Sequence, residues 1–248
     1  MRLFVLLVQS FCLWMSIGPE PVSCKDFIKK YYFPVEKLEE GVVYRYFNEK
    51  SRRHFYVELK SWKVDRGYLL RSRLYDFDLY LTEHSEKFVD QSGVRLQKYN
   101  IYHRSVNQAS VYQLTANVIS SQLFFWHVQP AQRTSLVFSY TPPETPNQVV
   151  RHMVNRYYDR EFHFQQVMGR EVHCTRFTEL VKVHRYNLPY SPDELPIEER
   201  LIDKKSFYGE GIGLIRTEID YAPGGSFSIA LDKIIPIDQW EIMLNMQH

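Results

Sequence analysis

An all-β fold with minor helix, a single curved antiparallel sheet in a half-barrel or open barrel, is what this 248-residue sequence predicts. Three observations carry that reading. Apolar and polar residues alternate with period two along most of the chain. Aromatic residues make up 15%, including 18 Tyr and 16 Phe. Short turn signals separate the alternating runs. Strict alternation marks strands with one packed face and one more polar face, as in antiparallel sheets, and aromatic and β-branched side chains suit a pleated surface.

The N-terminus reads as an address. Arg2 is followed by an apolar run, Leu3–Val8 and Phe11–Met15. That run is too short to span a bilayer as a helix and matches a signal-peptide core. Residues 1–23 are assigned to the signal and 24–248 to one β domain. Pro21-Val22-Ser23-Cys24 resembles a lipobox, with Pro21 where Leu is usual. Two outcomes stay open: lipidation of Cys24, which would anchor the chain to a membrane, or ordinary cleavage close to it. Cys12 leaves with the signal. Cys174 is then a buried free thiol, or pairs with Cys24 if that residue is retained.

The strands follow in order. Phe55, Val57 and Leu59 alternate on one face. So do Tyr75, Phe77, Leu79 and Leu81, then Tyr112, Leu114, Ala116 and Val118, then Leu136, Phe138 and Tyr140. Turns are expected at Asn48–Ser51, Asp65–Gly67, Asp90–Gly93, Met168-Gly169 and Pro223–Gly225. The last of the long turns are proline-rich connections, Thr141–Pro146 and Leu188–Pro196, of the kind that covers an opening or carries a site. Short helices are expected at Lys25–Lys30 and Ile197–Ile202. Leu123-Phe124-Phe125-Trp126 is apolar on both faces, so something must cover its second face, or it lines an apolar cavity or contact patch.

Composition excludes several classes. Ten Gly and 12 Pro are too few for collagen-like or low-complexity chains. A mean hydropathy of −0.38 excludes a multi-span helical membrane protein. A net charge of +2, from 31 basic and 29 acidic residues, gives no sign of a nucleic-acid partner.

Chemical motifs are sparse. Gly209-Glu210-Gly211-Ile212-Gly213 lacks a following helix, so its glycines read as a bend at a strand entry rather than a phosphate cradle. A hairpin at Met168-Gly169 places His163 beside Cys174 and Phe164 beside His173. Two ligands do not make a zinc site, so no metal and no cofactor is expected. Asp76 and Asp78 read as solvated surface charges able to pair with Arg71 and Arg73. No nucleophile elbow, metalloprotease helix or Cys-x-x-Cys pair is present. The expectation is no catalytic residue and no enzyme.

The C-terminal third carries a resemblance. Val167–Thr175, Ser206–Glu218 and Gly225–Leu231, with the aromatic-Gly-Ile-Gly-Leu step between them, resemble uncharacterised envelope lipoproteins of Bacteroidota type. They also resemble the broader lipoprotein-carrier-like (LolA/LppX-like) half-barrels. The resemblance implies an open sheet curled around an apolar face that sometimes holds lipid or acyl chains, and a place in the periplasm or at the outer membrane.

The expectation is therefore a non-enzymatic, secreted or lipid-anchored envelope protein. Its partner would be a lipid or lipoprotein acyl chain, held on a concave face lined by Phe55, Val57, Phe77, Leu79, Leu114 and Phe138. The alternative is an assembly lipoprotein that docks other envelope proteins through an aromatic surface. A cavity would favour the first, and a filled core with an exposed aromatic patch the second.

Overall fold

The computed structural model describes residues 28–104, 111–127, 132–191, 194–222 and 224–246, without the side chains of 160–162 and 222. The signal peptide and Cys24 lie outside the described residues. Thirteen strands form: β1 (Val42–Asn48), β2 (Arg53–Val64), β3 (Gly67–Tyr75), β4 (Leu81–Val89), β5 (Gly93–Arg104), β6 (Val111–Thr115), β7 (Asn117–Phe125), β8 (Arg133–Tyr140), β9 (Gln148–Val167), β10 (Arg170–Asn187), β11 (Glu198–Gly209), β12 (Gly213–Ala222) and β13 (Gly225–Pro236). One helix, α1 (Ile237–Asn245), follows.

Every strand pairs antiparallel with its neighbours in sequence, β6 and β7 excepted, so the chain is an up-and-down meander. Four of the predicted turns join consecutive strands; in the fifth, Gly224 and Gly225 lead into β13, and Pro223 lies outside the described residues. β6 and β7 are one bent stave broken at Ala116, whose N–H donates to Tyr99 O at 2.8 Å. Together they pair with β5, from Arg104↔Val111 to Gly93↔Phe125.

The meander does not stay open. β1 pairs with β13, from Val42↔Pro236 to Asn48↔Ile229. This closes a twelve-stave barrel, which corrects the expected half-barrel. Closure removes both exposed sheet edges, each of which would present a row of unpaired N–H and C=O groups.

Two further expectations are corrected. Tyr75–Leu81 is not one strand. Asp76 Oδ1 accepts from the backbone N–H groups of Asp78 (3.0 Å) and Tyr80 (2.9 Å), and Leu79 has φ of +60°. The aspartate offers the backbone a turn in place of the ladder. Ile197–Ile202 is not helical either, because Glu198 onward pairs with β10 through Arg185↔Glu198.

The register sorts the wall into two faces. Tyr44, Val57, Leu74 and Glu83 point to the lumen. The outward rows of the later strands carry Lys182, Asp203, Lys205, Glu218 and Asp220. These charged outer rows differ from the apolar, lipid-facing band of a membrane-spanning barrel. No helix among the described residues is long and apolar enough to cross a membrane. α1 covers part of the outer wall, where fully buried Trp240 packs on Tyr56 and Tyr75 at ring distances of 5.0 and 5.2 Å.

One end of the barrel is stoppered by residues 28–38, which form two 3-10 turns, Lys29–Tyr31 and Val35–Lys37. Tyr32 lies 5.2 Å from Phe124 and 5.6 Å from Trp126, and Phe33 lies 5.8 Å from Tyr44. The stopper is the missing cover for the doubly apolar run 123–126. Polar latches hold it: Tyr31 Oη meets His173 Nδ1 at 2.9 Å, Lys30 Nζ meets Glu210 at 3.0 Å, and Ser61 N–H donates to Leu38 O at 2.9 Å. The glycine step serves this stopper. Gly213 has φ of +101°, and a Cβ there would lie 2.3 Å from the Phe33 ring.

Phe33→Ala is expected to lower stability by about 3–5 kcal/mol, since it opens a void in a filled aromatic cluster. Gly213→Ala should also destabilise, through both φ and the clash. Urea unfolding measures both. A loss below about 1 kcal/mol for Phe33→Ala would mean that the stopper does not contribute to the core.

Candidate functional site

Beyond the stopper the lumen opens into a cavity of about 650 Å³. Residues from all twelve staves line it. This is the size expected from geometry: eight strands enclose an interior that side chains can fill, and diameter grows with strand number. Twelve staves leave space. The chain connections at the end opposite the stopper include the proline-rich segment 141–147 and the described residues 188–191 and 194–197 of the second.

The wall is layered. Tyr208, Phe33 and Tyr46 form the floor against the stopper. The next layer is ionic. Arg156, Glu179 and Lys204 occupy inward positions on adjacent strands, joined through the Arg156↔Glu179 and Glu179↔Lys204 register pairs. Arg156 Nε lies 3.3 Å from Glu179 Oε1, and Lys204 Nζ lies 3.3 Å from Oε2. Ser206 Oγ donates to Oε1 at 2.9 Å. Arg156 also donates to Leu123 O at 2.7 Å and lies 4.2 Å over the Phe124 ring. One register step further out the same strands carry Val154, Val181 and Ile202, with Leu136 opposite Val154. That layer is apolar and Phe138 extends it, while Ile219 and Phe227 continue the row of Lys204 across β12 and β13.

Electrostatics follow from burial. Desolvation alone would raise the Glu179 carboxyl. Arg156 and Lys204, with the Ser206 and Arg156 hydrogen bonds, overcome it and hold the group at about 2. Lys87, across the lumen on β4, goes the other way. Burial first, then repulsion from Arg156, push its ammonium down to about 8 against the attraction of Glu83, with Lys204 adding to the repulsion. His152, stacked on Phe138 at 4.7 Å, is pushed down to about 4 by burial.

Of the six residues expected on the concave face, Phe55, Val57 and Phe138 line the cavity. Phe77 instead sits in the β3–β4 turn under the Arg53 guanidinium, 3.8 Å from its ring centroid. Leu79 packs on the outer cluster around Trp240. Leu114 pairs with Ile101 near the end opposite the stopper and is not among the lining residues. Arg71 and Arg73 do not pair with Asp76 and Asp78. They reach Glu58 at 2.9 and 3.4 Å. Cys174 faces His163 in register, is fully buried, and its thiol is pushed up to about 11 by burial. No cluster of three or more metal-ligating side chains occurs among the described residues.

Sequence reasoning missed the ionic layer. A signal was present: Arg156 lies between Val154 and Tyr158, Glu179 between Phe177 and Val181, and Lys204 two residues from Ile202. Charges at inward parity in three successive strands mark a lumen that is not wholly apolar.

No protein-family model matches the chain, and no curated protein sequence matches it. Two solved structures do. One, from Bacteroides fragilis NCTC 9343, is provisionally described as an exported protein with a YmcC-like fold. It is 11% identical with a TM-score of 0.50, over 82% of this chain and 98% of that one. The other, from Parabacteroides distasonis ATCC 8503, is provisionally described as a lipoprotein. It is 9% identical with a TM-score of 0.47, over 82% and 97%. At such identities the likeness concerns the fold.

The ionic layer makes two pH predictions. Glu179→Gln should destabilise by about 3 kcal/mol at pH 7, because Arg156 and Lys204 lose their counter-charge. The Glu179 contribution is fully present above its unfolded value of about 4.5 and is lost as pH falls toward about 2, so the variant's deficit should shrink over that window. Lys87→Met should raise the Tm at pH 7. The charged form is penalised in the fold, so that gain should fade as pH rises from about 8 towards 10.5. Thermal unfolding of each variant across pH reads both, and a Lys87→Met protein less stable than wild type would contradict the second.

Proposed function

We propose that this chain is a non-enzymatic, exported protein of the bacterial cell envelope that holds a hydrophobic ligand, a lipid or acyl chain, inside its barrel. One observation carries the reading: the cavity of about 650 Å³ enclosed by the twelve staves, apolar over its outer layer and within the size range of small-molecule sites. Export rests on the signal-like residues 1–23. The descriptions given to the two similar structures agree with it, and lipidation of Cys24 would add a membrane anchor.

The alternative of a docking lipoprotein draws less support. Among the exposed large apolar residues, Phe164, Leu195 and Ile242 lie on separate elements, with Met246 one helical turn from Ile242. A docking surface calls for a contiguous patch.

Protein purified from its own envelope should carry lipid that native mass spectrometry and solvent extraction detect. A Val181→Trp variant, which fills the apolar layer, should keep its unfolding transition and lose that lipid. Wild-type protein free of lipid would overturn the reading. For the anchor, a Cys24→Ala protein should leave the membrane fraction, and one that still partitions there would argue against lipidation.

A further inference from the structure

We propose that the lumen selects amphiphiles with an acidic headgroup, a carboxylate or a phosphate monoester, whose oxygens sit among Lys87, Arg156 and Lys204 and whose hydrocarbon lies along Val154, Val181 and Leu136. The inference rests on the reading of the lumen as a ligand site and adds the chemistry of the head.

Three cations, Lys87, Arg156 and Lys204, line the cavity against two carboxylates, Glu83 and Glu179. Neither carboxylate answers all three. Glu179 is 2% exposed and already takes Arg156, Lys204 and Ser206. Glu83 lies near the Tyr99 hydroxyl, whose pKa it helps to raise, and attracts Lys87. Lys87 is left with no hydrogen bond or ion pair among the described residues, although its ammonium faces the same cavity. Its side chain is half-buried, and repulsion from Arg156 outweighs the attraction of Glu83, so an anion placed beside it in the cavity would be favoured.

The layering then sets the orientation. The cations lie next to the stoppered floor, and the apolar layer lies one register step toward the other end. A head placed at the cations directs its chain along apolar wall, whereas the reverse orientation would bury hydrocarbon against ammonium groups. A neutral head leaves Lys87 unanswered. A small polyanion with no chain leaves the apolar layer empty. Only an amphiphile with an acidic head satisfies both layers, and charge-assisted hydrogen bonds from Lys and Arg are the strong ones.

Isothermal titration of the mature chain with oleate, oleyl phosphate and oleyl alcohol, each below its micellar concentration, tests this. At least one of the two acids should bind about tenfold or more tighter than the alcohol, the value of one charge-assisted bond. Oleate in the lead identifies a fatty-acid-like head, and oleyl phosphate a phospholipid-like one. Lys87→Met should bring acid and alcohol to similar affinity without weakening the alcohol, and Lys87→Arg should retain the preference. Equal binding of acids and alcohol by wild type would overturn the acidic-head assignment and leave the lumen as a hydrocarbon site. An undiminished preference in Lys87→Met would overturn the role of Lys87. Failure of all three amphiphiles to bind would overturn both this inference and the reading beneath it.

Discussion

The pairing of β1 with β13 is the constraint on which the rest of the structure depends. Without it the meander would be an open sheet with two unpaired edges and an apolar face against water. With it, the apolar face becomes a lumen, and strand number fixes the lumen's width. Twelve staves are too many for side chains alone to fill the interior. One end is therefore stoppered by a separate piece of chain, and the rest remains a cavity. The aromatic surplus has the same origin. Large rings such as Tyr32, Phe124 and Tyr208 fill the wide mouth with few residues, in edge-to-face contacts at 5.2 to 5.3 Å.

The ionic layer is hard to explain as a stabilising device. Desolvating Arg156, Glu179 and Lys204 costs about as much as their attraction returns, and apolar residues of similar volume generally do as well or better. Lys87 adds an ammonium on which repulsion from Arg156 outweighs the attraction of Glu83. Such an arrangement trades stability for a polar surface inside an apolar container, and strained electrostatics of this kind concentrate where a ligand is held. The glycine step and the stopper are, by contrast, purely structural. Gly213 gives Phe33 its seat and brings no polar group to the cavity.

Alternation, turn positions and the antiparallel meander were legible in the sequence, because they are local properties of period and turn chemistry. The hairpin at Met168-Gly169 could even be read to its register, with Cys174 opposite His163. Closure was not legible. Val42 and Pro236 are distant in sequence, and no local pattern reports their pairing. The stopper escaped for the same reason, although the doubly apolar run 123–126 announced that a cover existed. Phe77 and Leu79 were misplaced because Asp76 turns the chain inside an otherwise alternating run, a contest between side-chain and ladder hydrogen bonds that periodicity cannot register. Phe55, Val57 and Phe138 came out on the lumen wall because period two alone decides their face.

Whether hydrocarbon enters the barrel decides the function of the lumen. A crystal structure of the protein with a terminally brominated fatty acid, read at the bromine edge, tests that most directly. The expected result is a single anomalous peak inside the lumen, beyond the apolar layer of Leu136, Val154 and Val181 on the side away from the stopper, with the carboxylate at Lys87. Bromine confined to the outer wall, or absent from the lumen at saturating ligand, would contradict it.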